Sequence, residues 1–288
     1  MGFVNAFKPP GISSAQFGAR VRRIYSVRGR TNVAAGHLGT LDPDASGVLP
    51  LAIGKATRLI PLIEDRRKAY AFVLALGRAT DTGDASGKTV RETSIPADAE
   101  ALLEAASQRF VGPWLQVPPM FSAVHIDGRR LYELARAGRT VERKARRVTL
   151  YDLRILGFEG TTVRMRVACS EGTYVRALCE DLGNAIGVAA HLAALLREAS
   201  GPFVLYESLT LEQIEAAPEI ALVPPERVIP FPTIVLDGRG AADFRAGRMV
   251  PLPNGAVCRH VFVRDATRSL VGVGEAVGAL LAPRKVFV

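Results

Sequence analysis

The sequence predicts an α+β protein that carries a second, smaller β module at its C-terminal end. Three observations lead there. Stretches that read as strands outnumber those that read as helices, although both are abundant. They do not follow the alternating strand–helix order of a parallel α/β sheet. Composition then changes at Pro224-Pro225-Glu226-Arg227-Val228-Ile229-Pro230-Phe231-Pro232, where four prolines in nine residues read as a stiff linker or a domain boundary. Beyond it the chain is glycine-rich and strand-like, as a small barrel would be. The division is expected between residues 1–230 and 231–288, and 288 residues suffice for one large and one small domain.

The elements follow in order. Residues 2–7 alternate enough for a strand, Lys8-Pro9-Pro10-Gly11 is a turn, and Ser13 or Ser14 can cap a helix over 14–24. Val48 to Ile53 is an apolar run suited to a buried strand, and Ala56 to Ile63 reads as helical. Lys68 to Gly77 is a nearly apolar strand, and Arg78 to Gly87 is a turn-rich loop. A helix is expected over 96–110, with Pro96 near its first turn, and another over 129–137, ended by Gly138. Val148–Phe158 and Thr161–Cys169 form a hairpin joined at Glu159-Gly160. Tyr174–Ile186 and Leu209–Ala217 are further helices, with Thr173 a suitable N-cap for the first. In the tail, 257–263 and 270–273 are strand-like.

Composition narrows the class of function. The formal charge is +9, which suits a polyanionic partner. Arg20, Arg22, Arg23, Arg28 and Arg30 fall within eleven residues with no acid among them. A second cluster runs from Arg129, Arg130, Arg136 and Arg139 to Arg143, Lys144, Arg146 and Arg147, offset only by Glu133 and Glu142. Either cluster alone reads as a solvated face, whereas two arginine-dominated clusters favour phosphate binding. No apolar run approaches a membrane span, and the first residues lack the layout of a signal peptide, so a cytoplasmic location is expected. Cys169, Cys179 and Cys258 form no CxxC pair and read as reduced thiols, and the four histidines form no metal motif. No metal is expected.

The most informative segment is Gly36-His37-Leu38-Gly39-Thr40-Leu41-Asp42-Pro43-Asp44-Ala45-Ser46-Gly47. Its glycines let backbone approach a ligand closely. Pro43 fixes its own φ and pushes Asp42 toward an extended conformation, so the carboxylate is held. Other polar residues can be read two ways. Tyr70 is either a core tyrosine or a ring that stacks on a nucleobase. Arg176, in the first turn of a helix, meets an unfavourable dipole and needs an anion: Asp42, a phosphate, or a local carboxylate such as Glu171 or Glu180. His37 is a buried hydrogen-bonded residue, an acid/base group, or a wedge that fills the space of an extruded base. Asp44 reads as a solvated turn carboxylate or as a partner for Asp42. Asp81 and Asp84 read as turn formers or as groups that orient an arginine.

Taken together, these segments resemble the TruB-type tRNA pseudouridine synthases. The Asp42 loop is similar to that family's catalytic loop. Lys8-Pro9-Pro10-Gly11-Ile12-Ser13-Ser14, Lys68-Ala69-Tyr70, Thr80 to Gly87, Gln116 to Ala123, Arg130 to Arg143 and Cys169 to Arg176 resemble six further family motifs, in the family's order. Each is weak alone; seven in sequence are specific. The ending Leu281-Ala282-Pro283-Arg284-Lys285-Val286-Phe287 resembles that of the family's PUA domain, a small RNA-binding barrel.

The resemblance implies a pseudouridine-synthase fold, with a mixed or antiparallel central sheet flanked by helices. It also implies isomerisation of uridine to pseudouridine at position 55 in the tRNA T-loop, by base flipping and without a cofactor. By the same resemblance Asp42 is the catalytic aspartate, Tyr70 stacks on the uracil, and Arg176 pairs with Asp42. His37, Tyr174, Leu196, Lys8, Gly39 and Thr40 are implied to meet the substrate. The partner implied is the T-stem-loop of tRNA, with no obligatory protein partner; the lack of a basic N-terminal extension argues against guide-RNA-dependent relatives. Phe121 and His125 depart from the family pattern, and the 22–35 loop is longer than usual. Two other readings stand beside the enzyme: a non-catalytic RNA-binding or folding module on the same scaffold, and a guide-directed synthase.

Overall fold

The computed structural model describes residues 1–26, 33–122, 125–126, 129–131, 141–252 and 259–287. Its strands begin with β1 (Gly2–Lys8), β2 (Ala35–His37), β3 (Ser46–Ile53), β4 (Lys68–Leu76), β5 (Arg78–Thr80) and β6 (Thr89–Glu92). They continue through β7 (Gly112–Gln116), β8 (His125–Ile126), β9 (Arg129–Arg130), β10 (Arg146–Glu159), β11 (Thr162–Cys169), β12 (Ala190–Ser200) and β13 (Phe203–Val204). The tail adds β14 (Thr233–Val235), β15 (Val250–Pro251), β16 (His260–Arg264), β17 (Leu270–Val277) and β18 (Leu280–Val286). The helices are α1 (Ser14–Ser26), α2 (Ala99–Gln108), α3 (Val175–Ala185), α4 (Leu211–Ala216), α5 (Pro225–Val228) and α6 (Gly238–Arg245).

A nine-stranded sheet carries the site. Its path is β1-β3-β12-β4-β11-β10-β7, with β2 beside β3 and β13 beside β12. Every pairing on the path is antiparallel except β12 with β3, so the sheet is mixed. Helices α1 and α3 pack on it, and α2 packs on α3 and β10. The tail forms a separate five-stranded sheet, ordered β14-β16-β17-β18-β15, which is the small β module expected there.

Strand periodicity sorts the core. Along β1 and β3, Val4, Ala6, Leu49 and Leu51 enter one buried cluster with Phe17, Leu41 and Tyr70. Their alternate neighbours Phe3, Val48 and Ala52 enter another with Ile229, Phe262, Val273 and Phe287. These two strands are therefore covered on both faces, which is why β3 reads as a continuous apolar run. The second cluster joins the small sheet to the large one.

Several expectations need correction. The segment expected to be helical over 56–63 is a 3₁₀ helix, Gly54–Leu62, with Pro61 inside it and Ile63 as its C-cap. The helix expected over 129–137 falls mostly outside the described residues, and Arg129–Arg130 pair as a strand with His125–Ile126. The proline-rich stretch is not an extended spacer: α5 forms within it, and Val228 and Ile229 are buried. Thr173 does not cap α3. Its hydroxyl donates to the Ser170 carbonyl at 2.9 Å, and Tyr174 occupies the cap position. Strand β12, at the centre of the sheet, carries no strand signal in Ala-His-Leu-Ala-Ala-Leu-Leu-Arg-Glu-Ala-Ser. Cys169 and Cys179 are buried free thiols; Cys258 lies outside the described residues.

Candidate active site

The Asp42 loop leaves β2, closes a turn and enters β3. The turn is Asp42-Pro43-Asp44-Ala45, sealed by the Ala45 N–H donating to the Asp42 carbonyl at 3.2 Å, with Pro43 where its fixed φ suits. Buried side chains grip the loop from below. The Lys68 ammonium donates to the Leu38 carbonyl at 3.0 Å. The Arg197 guanidinium donates to the carbonyls of Gly39 at 3.0 Å and Thr40 at 3.3 Å. The Ser14 hydroxyl accepts from the Leu41 N–H and donates to the Leu41 carbonyl, at 2.8 and 2.7 Å. Lys8 donates to the Pro43 carbonyl at 2.9 Å. Four separate elements thus fix the backbone around one carboxylate.

Arg176 completes the pair from the first turn of α3. Its Nε lies 2.9 Å from Asp42 Oδ2, and its Nη2 donates to Oδ1 at 3.2 Å. The remaining donors meet the carbonyls of Thr82 at 3.0 Å and Phe121 at 2.8 Å. The arginine is buried, while 41% of the Asp42 side chain stays exposed, so a ligand can reach the acid but not its counter-ion. Asp84 Oδ2 stands 3.8 Å from Arg176 Nε. Asp84 fits both of its readings, since its Oδ1 accepts from the Thr82 and Ser86 hydroxyls and the Ser86 N–H within the turn while Oδ2 faces Arg176; Asp81 accepts from the Lys88 N–H in a turn. Asp44 is exposed in the turn. The amide of Gln116 holds the start of α3, accepting from the Tyr174 N–H at 2.8 Å and donating to the Tyr174 carbonyl at 3.1 Å.

The electrostatics follow from burial. Crowding by protein pushes the Asp42 pKa up, Arg176 opposes this, and the like charge of Asp84 adds to the rise. Tyr70, on β4, is 7% exposed. Burial raises its pKa, the neighbouring Arg197 opposes that, and the Asp42 charge adds a small rise. His37 ends β2, half-buried; desolvation and then Arg197 lower its pKa, so the imidazole is neutral at neutral pH. Burial lowers Lys68 to about 8.

The structure places the remaining sequence candidates as follows. Tyr174 is half-buried at the start of α3, and Gly39 and Thr40 are exposed, with their carbonyls turned inward to Arg197. Lys8 is fully buried, and its ammonium donates to the carbonyls of Pro9, Ile12 and Pro43, a position from which it holds the loop. Leu196 sits on strand β12. It pairs with Ala71 in the β12–β4 ladder, while Arg197 pairs with Tyr70 and Leu195 with Phe72. Because side chains alternate, Leu196 lies on the face opposite Tyr70. Leu195 packs on the cluster that contains Tyr70 and Leu41. Arg197 was not foreseen. The available signal was an arginine directly after the apolar stretch Ala193 to Leu196.

A mixed sheet of this order, with an aspartate and arginine paired at its mouth, defines a pseudouridine-synthase fold. Two solved structures support this over the whole chain. A structure of an H/ACA RNP bound to a substrate RNA containing 2′-deoxyuridine superposes with a TM-score of 0.68 at 25% identity, covering 85% of that chain. A Cbf5–Nop10–Gar1 complex superposes at 0.69 and 27%, also covering 85%. The chain belongs to the TruB family of pseudouridylate synthases: residues 22–175 match that family's N-terminal domain, and 176–222 match the tRNA pseudouridylate synthase B C-terminal domain. Its relatives include tRNA pseudouridine synthase B of Burkholderia pseudomallei (strain 668), 41% identical over 98% of this chain and 95% of that protein. Another, from Heliobacterium modesticaldum, is 40% identical over 99% and 95%.

Proposed function

We propose that this protein isomerises uridine to pseudouridine in the T-loop of tRNA, at position 55, with Asp42 as the catalytic carboxylate. Family membership and the names of the relatives support a tRNA substrate. The observation that carries the finer reading is the two-point pairing of Asp42 with the buried Arg176, with Tyr70 in the same buried cluster as Leu41, the residue before Asp42. A uracil within a folded loop is out of reach, so it is flipped out, at a cost of a few kcal/mol. Asp42 then starts the exchange as a nucleophile or as a base. The bond from the sugar to nitrogen breaks, a bond to C5 forms, the C5 hydrogen leaves as a proton and the nitrogen regains one. No net electrons move. Arg176 keeps the acid ionised against the pull of burial, and the Tyr70 ring offers a face for the base.

Residues 1–230 are read as the catalytic unit and 231–288 as a PUA-like RNA-binding unit, acting on the T-stem-loop without an obligatory protein partner. The test is tritium release from T-stem-loop RNA labelled at uracil C5. Release by the purified protein alone supports the reading. Tight binding without release points to a non-catalytic module. Release only after a guide RNA and proteins are added points to the guide-directed alternative.

A further inference from the structure

We propose that Arg197 is a positioning residue for this reaction, clamping the two ends of the Asp42 loop to the central strand β12. The inference rests on the reading of Asp42 given above. The clamp is direct: Nη2 and Nη1 hold the carbonyls of Gly39 and Thr40 before the acid, and Nε donates to the Val48 carbonyl after it, at 2.7 Å. One planar fork therefore fixes the separation of the loop's entry and exit, which a single-point ammonium cannot do. The strand register explains the reach. Arg197 stands across from Tyr70 in β4 and across from Gly47 in β3. At Gly47 a Cβ would lie 2.3 Å from the Arg197 carbonyl oxygen, so the two backbones are already in contact.

The energetics favour a geometric role over one in stability. Arg197 is 1% exposed, and its three hydrogen bonds run to neutral carbonyls. Burying a guanidinium is costly even when its donors are satisfied; an apolar side chain of similar length would avoid that cost but leave the three carbonyls without their donor. What an apolar side chain could not do is hold three carbonyls at fixed separations. The same residue is the cross-strand neighbour of Tyr70, on the same face of the sheet. One group thus sets where Asp42 and Tyr70 stand relative to each other, although it touches neither reacting atom.

The test compares the full-length wild type with Arg197→Lys and Arg197→Met. Three quantities are read: amide hydrogen exchange over residues 38–48, single-turnover tritium release, and affinity for the T-stem-loop RNA. Both variants should exchange about tenfold faster or more over 38–48, with the rest of the large sheet unchanged. Release should slow by about 100-fold, the scale of a misplacement of one ångström, while RNA affinity stays within about threefold. If Arg197→Met does not fold, Arg197→Lys decides, because it keeps the charge and loses only the fork. Unchanged exchange over 38–48 in a folded variant overturns the proposal, as does a loosened loop with undiminished release. A loss of RNA affinity equal to the loss of rate also overturns it. Exchange is measured without substrate, so the clamp is judged even if the wild type releases no tritium, a result that would instead strike the reading of Asp42.

Discussion

Asp42 is constrained less by its own bonds than by those of its neighbours. Carbonyls on either side of it are held by Lys8, Ser14, Lys68 and Arg197, and its charge is met by Arg176. Asp42→Asn keeps the shape and removes the charge. It should abolish tritium release and leave RNA affinity within several-fold, about 1 kcal/mol; a collapse of affinity measured by filter binding would make the residue structural. The pH dependence follows from the direction of the shift. Burial raises the Asp42 pKa above the ordinary 3.8, with Asp84 adding to the rise. In the proposed reaction the ionised form is the active one, so single-turnover rate should fall as pH drops through that raised value. Asp84→Asn removes a like charge and should move the acid limb to lower pH. A limb that stays in place, or moves up, would show that Asp84 does not set the charge state of Asp42.

At the scale of elements, local chemistry and tertiary context divide the credit. Ser13 caps α1 as its position suggests, exchanging hydrogen bonds with Gln16, while Ser14 is diverted to the Asp42 loop. Thr210 forms a capping box with Gln213 at the start of α4. The hairpin of β10 and β11 closes at Glu159 and Thr162, as its alternation and Gly160 indicate. Strand β12 is the opposite case. Alanine, leucine, arginine and glutamate favour helix, yet the segment pairs with both β3 and β4. The ladder outweighs a propensity worth only a few tenths of a kcal/mol per residue. The crossing of β3 and β12 is tight at Gly47, where φ is +109°. Gly47→Ala should therefore destabilise the fold by about 2–4 kcal/mol in urea denaturation. A loss below about 0.5 kcal/mol would mean that the strands can move apart at little cost.

Across the whole molecule, the small sheet is packed against the large one through a common apolar cluster. Phe3, Phe203 and Ile229 meet Phe262, Val273 and Phe287, and Arg58 donates to the Val286 carbonyl. Arg264 pairs with Glu226 of α5. Removing residues 233–288 would expose one face of β1 and β3, so the truncated protein should melt at lower temperature and aggregate. Ile229→Ala, made at the joint in the full chain, should cost about 2–5 kcal/mol. It should lower one shared thermal transition, because both sheets depend on the same cluster. Two calorimetric transitions, with only one shifted, would contradict that coupling.

The α+β class, more than half of the large sheet's strands, the family and the loop that presents Asp42 are all legible in the chain of residues. These are local properties: a period of two, a proline after the acid, a glycine where backbone crowds backbone. It took the folded arrangement to show that Lys8 serves the loop, that Leu195 and not Leu196 shares the Tyr70 face, that Arg197 grips the carbonyls, and that a proline-rich stretch seals a joint. Each of those depends on which segment lies behind a given residue. Periodicity shows that a face is buried, but the identity of its partner is set by long-range pairing and packing that no short stretch of chain encodes.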